Sequence, residues 1–358
     1  GVAFGDSKYV IVGSPAGDEG RIDTSANGAI WANTASFIDL APQAIHYTGS
    51  KFISVGLRIV PPPPEPILLA LGDVVSYSFD HGQTWEVANV PGDGQLFDAA
   101  WNGLFWCGVR EGTSSSFTST DGITWEEHPL ALPSESWHRI AWNGNVFCAI
   151  KGFDGGTAAQ KAATSPDGVT WTERTLSFIP PLVGWRDIAA NGSVFTIITA
   201  SQFTTTSSDD GVSWLIGTLP GPSNEDWIGL GSNGSVFTAR SSQLSATSTD
   251  GIIWDAGPNP PVVGGPAEGV SLPWNGSVFV FVSQTGATAQ TSPDGAVWTT
   301  RVLPFGGNLS CAAWDGTVFF VASIDGSGDG IYSFDGIAWV TIPATVPLDS
   351  GRRIRGHA

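Results

Sequence analysis

Methionine is absent from the whole 358-residue chain, position 1 included. That absence leads to the expectation of a processed product or a piece of a longer protein. Cysteine is nearly absent too: Cys107, Cys148 and Cys311 are all there are. Cys107 and Cys148 each follow the Gly of an Asn-Gly turn by four residues in neighbouring repeats, positions too far apart for a disulfide. All three are read as small buried apolar residues, with no metal or redox motif around them. Basic residues number 15 against 33 acidic ones, a net charge of −18. That excludes a nucleic-acid partner, because phosphate binding needs a basic footprint. No apolar run approaches the length of a membrane span, so membrane insertion is not expected. Neither a phosphate-binding Gly motif, nor a catalytic triad in plausible register, nor a Cys/His cluster is present, and no cofactor or metal is expected.

What the chain does have is 46 Gly, 24 Pro, 16 Trp and 19 Phe, with 13% of positions charged. Disordered chains lack aromatics to bury; this composition suits many short strands joined by tight turns. Two signatures recur eight times each. The first is Ser-x-Asp-Gly-x-x-Trp or a near relative: SANGAIW from Ser25, SFDHGQTW from Ser78, STDGITW from Ser119, SPDGVTW from Ser165, SDDGVSW from Ser208, STDGIIW from Ser248, SPDGAVW from Ser292 and SFDGIAW from Ser333. Their Trp residues stand roughly 40 to 54 positions apart, the period of one four-stranded propeller blade. The second is a turn followed by an apolar strand: WNGLFW from Trp101, WNGNVF from Trp142, ANGSVF from Ala190, SNGSVF from Ser232, WNGSVF from Trp274 and WDGTVF from Trp314, with weaker copies at Phe4 and Tyr47. Asn-Gly between apolar runs is a hairpin signal, read here as a two-residue turn with positive φ at both residues.

The repeats interleave in phase, so one unit reads as strand A, Asn-Gly hairpin, strand B, loop, strand C, Ser-x-Asp-Gly turn and strand D. The fold class expected is all-β: a single β-propeller with eight four-stranded blades, or seven with the degenerate first box outside the ring. Blades are expected at about 1–41, 42–94, 95–135, 136–181, 182–223, 224–265, 266–305 and 306–350. Residues 351–358, GRRIRGHA, resemble the start of another strand A and are read as a closing strand or as the start of a missing segment. Residues 57–66, LRIVPPPPEP, read as a stiff polyproline-like loop.

SFDHGQTW resembles the full Asp-box of the sialidase (BNR-repeat) superfamily, and the other boxes resemble its shorter variant. The resemblance covers nearly the whole chain. It implies that Asp80, Asp121, Asp167, Asp210, Asp250, Asp294 and Asp335 are structural and lie on the face away from any ligand. Sialidases of that family also use three Arg around a carboxylate, a Tyr–Glu nucleophile pair, an acid Asp and an Arg-Ile-Pro motif. Here the nearest match to the last is Arg58-Ile59-Val60-Pro61, with an extra residue, and none of Tyr9, Tyr47, Tyr77 and Tyr332 is placed as a nucleophile. The resemblance therefore implies the scaffold without the catalysis.

On the opposite face, three consecutive units place a Trp six residues before the turn Asn: Trp137, Trp185 and Trp227. His138, Arg139, Arg186, Asp187, Glu225 and Asp226 stand beside them. Aromatic faces with Arg and carboxylate neighbours suit a carbohydrate; the competing reading packs the three Trp between blades. Asp187, Glu225 and Asp226 are the carboxylates a glycosidase would draw on. The segment DGSGDG at 325–330 resembles half a calcium loop but has Gly336 where the twelfth-position Glu belongs, and reads as a loop between strands. The function expected is a non-catalytic binding or structural propeller, extracellular or virion-associated, of the receptor-binding, tail-fibre or adhesin kind. Its expected partner is a glycan or a surface protein, alongside other virion or surface subunits. A sialidase-like hydrolase and an assembly scaffold are the alternatives.

Overall fold

The computed structural model describes residues 2–5, 7–13, 19–26, 32–38, 40–47, 52–58 and 66–357, except 111, 113–114, 130–136, 152–160, 177–184, 200–203, 223–224, 262–269, 283–286, 306–308, 324–327 and 343–352. The fold is all-β and propeller-built. Eight sheets of three to five strands are present, with one two-stranded hairpin. No helix is long and apolar enough to cross a membrane among the described residues. Two compact units divide the chain, Gly1–Pro64 and Glu65–Ala358. In the first, Val2–Gly5, Lys8–Gly13, Glu19–Ser25 and Ala32–Ile38 form one antiparallel sheet, and Leu40–Tyr47 pairs with Phe52–Arg58.

The second unit holds seven sheets, called blades one to seven. In six of them the inner strand is Ile354–His357, Leu96–Trp101, Trp137–Trp142, Trp185–Ala190, Trp227–Ser232 or Leu309–Trp314; at the inner place of blade six, Val270–Ser271 pairs parallel with Trp227–Ser232 of blade five and Trp274 bridges to Phe279. Each packs against the next, and Leu309–Trp314 packs against Ile354–His357, so the seven close a ring. The eight repeats thus give eight sheets, and the sheet whose strands flank the first box belongs to the first unit. One expected boundary changes. The blade carrying the Ser78 box does not draw its inner strand from the 42–94 range. It takes Ile354–His357, which pairs antiparallel with Ile67–Ala70, while Leu40–Tyr47 is occupied by its own hairpin partner. The physical gain is that the first and last strands of the unit are hydrogen-bonded within one sheet, which fastens the ring closed.

The two repeated signatures turn out to be one device. In the box, Asp121 Oδ1 accepts the N–H groups of Ile123 and Thr124, and Gly122 takes φ +74 between them. In the hairpin, Asn102 Oδ1 accepts the N–H groups of Leu104 and Phe105, and Gly103 takes φ +94. The hairpin is therefore a four-residue loop, Asn102 to Phe105, closed by Asn102 N–H donating to the Phe105 carbonyl. This corrects the expected two-residue turn. Asn is selected for its side-chain carbonyl, and only the Gly needs positive φ. The box adds three further bonds. Ser119 Oγ donates to Asp121 and accepts from Gly122 N–H, and the Trp125 indole N–H donates to the Gly122 carbonyl. The same set recurs at Asp167, Asp210, Asp250, Asp294 and Asp335.

Blade one's box inserts His81 ahead of Gly82, and both residues are left-handed. The inserted ring is put to use: His81 Nδ1 lies 2.7 Å from Asp315 Oδ2 of blade seven, across the closing seam. At the corresponding joints, Asn143 and Asn191 donate their side-chain amides to carbonyls of the next blade's box, at Asp209 and Thr249. The core lies between blades. The first residue of each second strand, Ile67, Trp106, Phe147, Phe195, Phe237, Phe279 or Phe319, is fully buried. Each such side chain contributes about 1.5–3 kcal/mol by leaving water.

Candidate functional site

Inner strands that run the length of a ring must present some side chains to its axis, and the register decides which. Five inner strands shift register at the same point, just before Asp98, Arg139, Asp187, Gly229 and Cys311. Beyond it come small residues: Ala100, Ala141, Ala189 and Gly231 at one level, with Pro273, Ala313 and Gly356 in the other blades. Their size leaves a cavity of about 510 Å3 lined by all seven inner strands and their extensions. It runs along the axis, with charge at one end and aromatic rings at the other.

At the charged end, Asp98 is fully buried. Arg355 Nε donates to its Oδ1 at 2.7 Å and Nη2 to its Oδ2 at 2.8 Å, and Arg353 Nη1 lies 3.7 Å away. The backbone N–H groups of Ala99 and Ile140 also donate to its carboxylate. Burial by itself would raise the Asp98 carboxyl, but the Arg355 and Arg353 guanidinium groups outweigh it and hold it below the ordinary range. Asp187 is buried as well, with Arg353 Nη2 at 2.9 Å, Arg139 Nε at 3.8 Å and the Ile188 N–H on Oδ1. Burial, and then the neighbouring Arg353, push Arg139 down to about 10 against the opposing pull of Asp187 and Asp98. Arg139 Nη1 donates to the His138 carbonyl. The two arginines that line the cavity, Arg353 and Arg355, thus face two carboxylates.

The residues singled out from the sequence fall into three groups. Trp137, Trp185 and Trp227 are buried, at 1%, 6% and 0% exposure. Each packs in a core cluster between blades, and no indole face among the three is open to a ligand. Arg139 and Asp187 come together in the charged cluster. The others stay at the periphery: His138 stacks on Phe97 at 4.4 Å, Arg186 pairs with Asp226 at 2.7 Å, and Glu225 N–H closes a turn onto the Pro222 carbonyl. Residues 325–327 of the 325–330 loop, the proline-rich stretch 59–65 and residues 27–31 of the first box lie outside the described residues, as does the Cys311 side chain. Cys107 and Cys148 are buried, and burial pushes both thiols up, which leaves them unreactive. No group of three or more His, Cys, Asp or Glu is arranged to hold a metal among the described residues.

The aromatic end was not singled out from the sequence. Trp101, Trp274, Trp314 and His357 line it. They occupy equivalent positions, each paired with the first residue of its blade's second strand. Three of them are the residue just before Asn-Gly or Asp-Gly, a position visible in the repeats but credited to the hairpin alone.

No protein-family model matches the chain, and no curated protein does. Solved structures do. Selenomethionine-substituted virginiamycin B lyase from Staphylococcus aureus is 9% identical, with 79% of this chain and 91% of that one covered and a TM-score of 0.58. YCF48 bound to D1 peptide is 18% identical, with 73% and 86% covered and a TM-score of 0.53. A putative 6-phosphogluconolactonase from Bacteroides fragilis is 10% identical, with 83% and 99% covered and a TM-score of 0.57. At these identities the likeness is one of fold.

Proposed function

We propose that this chain is a non-catalytic binding module that holds its ligand in the axial cavity, as part of a virion or of an extracellular surface. The observation that carries the proposal is that the cavity offers aromatic surface at one end while the carboxylates at the other end are already engaged. A hydrolase needs a carboxylate free to give or take a proton. Asp187 is held by Arg353 and Asp98 by a two-bond Arg355 contact, and Asp226 is paired with Arg186. These arginines are consumed by the protein's own carboxylates, unlike the ligand-facing arginines that the sialidase resemblance implies.

The ligand is a glycan or a surface protein. The Asp-box resemblance supports the surface setting by fold-level analogy, and the excess of acidic residues suits a soluble exterior. YCF48, solved with a D1 peptide, supports a propeller of this build holding a protein segment. The experiment is a glycan and peptide array probed with the purified chain, with released sugar measured in the same wells. Binding without release is the expected result; release of sugar would replace this reading with the hydrolase.

A further inference from the structure

We propose that the aromatic end of the axial cavity binds the terminal one or two rings of a neutral glycan, an inference that rests on the cavity being the binding site. Going round the ring, the seven equivalent positions before the turns are His357, Trp101, Trp142, Ala190, Ser232, Trp274 and Trp314. Of these, Trp274, Trp314, His357 and Trp101 of blades six, seven, one and two line the cavity as an unbroken aromatic crescent, while Trp142 of blade three stands outside its lining. Ala190 and Ser232 of blades four and five leave a gap across from the crescent. A symmetric collar of seven rings would plug the axis; a crescent with a gap makes a one-sided seat.

The crescent is fixed before any ligand arrives. Trp274 rests on Phe279 at 4.6 Å and Trp314 on Phe319 at 4.8 Å. Trp101 is held between Trp106 and His357, whose ring lies parallel to it at 3.9 Å. Each of the four collar Trp residues remains partly exposed. Rings already ordered lose little freedom on binding, and a flat apolar face with a polar edge matches a pyranose, whose C–H face stacks while its hydroxyls turn outward. Ser232, in the gap, supplies a hydroxyl opposite the crescent.

Charge selects against an acidic sugar. The cavity-lining guanidinium groups of Arg353 and Arg355 face Asp187 and Asp98, the third guanidinium of the cluster, Arg139, stands outside the cavity lining with Nη1 on the His138 carbonyl, and the chain carries a net −18. An added carboxylate would have to break a buried pair to gain a partner. The volume, about 510 Å3, sits inside the usual range of roughly 300–1,000 Å3 for small-ligand sites.

The test titrates neutral disaccharides ending in glucose, galactose, mannose or N-acetylglucosamine, and their uronic-acid counterparts, into the full chain, read by calorimetry and tryptophan fluorescence. At least one neutral sugar is expected to bind, with its uronate at least about tenfold weaker. Trp314→Ala is expected to weaken binding about tenfold, the loss of one stacking partner. Ala190→Trp fills the gap and is expected to abolish binding with the melting temperature unchanged, which separates a blocked seat from a misfolded one. Uronates binding as well as neutral sugars would overturn the charge assignment. Silence across the neutral panel, with a peptide or acidic ligand still lost in Ala190→Trp, would overturn the glycan class and leave the cavity as the binding site. Ligand binding indifferent to both variants would overturn this inference and the cavity reading together.

Discussion

The two ends of the axial cavity are made from the same strands, a few residues apart, and they solve opposite problems. At the start of the inner strands, Asp98 and Asp187 are buried against Arg353 and Arg355; at the turn end, Trp101, Trp274 and Trp314 stay partly exposed and rest on aromatic neighbours. A buried charge is tolerated only while its partner is present, so the first end is committed to holding the ring. Trp101 is covered by Trp106 and His357, but the partly exposed indoles of Trp274 and Trp314 each rest on a single Phe, so the second end is free to meet a ligand. Both arginines come from the closing strand or its flank, and they reach carboxylates on blades two and four. Chain closure is thereby tied to sites well away from the seam.

That contrast can be broken from the charged side first. Asp98→Asn leaves two guanidinium groups facing a neutral amide in a dry site, and should cost about 3 kcal/mol or more in urea unfolding. Pairing it with Arg355→Gln should recover part of the loss, and a single variant within about 0.5 kcal/mol of the parent would show that the cluster does not hold the ring. Acidification probes the same end and the turns together. Partial burial works against the charged form in most of the box carboxylates, yet hydrogen bonds from backbone N–H groups and the box Ser hold Asp121, Asp167, Asp210, Asp250, Asp294 and Asp335 below their ordinary values, as arginines do for Asp98. A carboxyl lowered in the folded state stabilises fully above its unfolded value, about 4. Stability should therefore be flat at neutral pH and fall steadily as the pH drops below about 4, with Asp98→Asn showing a shallower fall.

Smaller effects sharpen the comparison. Asp167→Ala removes two backbone contacts and the Ser165 bond from one box and should cost about 1–2 kcal/mol by thermal melting. His81→Ala unfastens a single contact at the seam, with an expected loss of about 1 kcal/mol; an equal loss in an Asp315→Asn background would show that the two residues are not coupled. Ala190→Trp should change stability least, within about 0.5 kcal/mol, while closing the aromatic end to ligands.

How much of this was legible beforehand differs by level. The blade repeat, the Gly in the turns and the Trp that follows each box follow from spacing, because each depends on residues within one turn. The hairpin type is hidden for a local reason: Asn102 and its equivalents serve through the side-chain carbonyl, and Asn before Gly is equally consistent with a positive-φ pair. The site was sought at Trp137, Trp185 and Trp227 because aromatic and charged residues cluster there in sequence. In an inner strand, a shift of one register position decides whether a ring enters the core or the axis. The residue before each Asn-Gly was in plain view, four Trp with Ala190 and Ser232 between them, but its meaning depends on seven strands standing in a circle.

Sequence alone determined the all-β propeller class, the places of the turns and the acidic, cysteine-poor character, since these depend on composition and on contacts a few residues long. Tertiary structure decided that Ile354–His357 completes the blade begun at Ile67, that Asp98 and Asp187 are neutralised from within, and that the aromatic crescent has a gap. Those outcomes depend on pairings between residues far apart in the chain, such as Arg355 with Asp98, and no local pattern encodes which distant partner a buried charge or an inner strand will find.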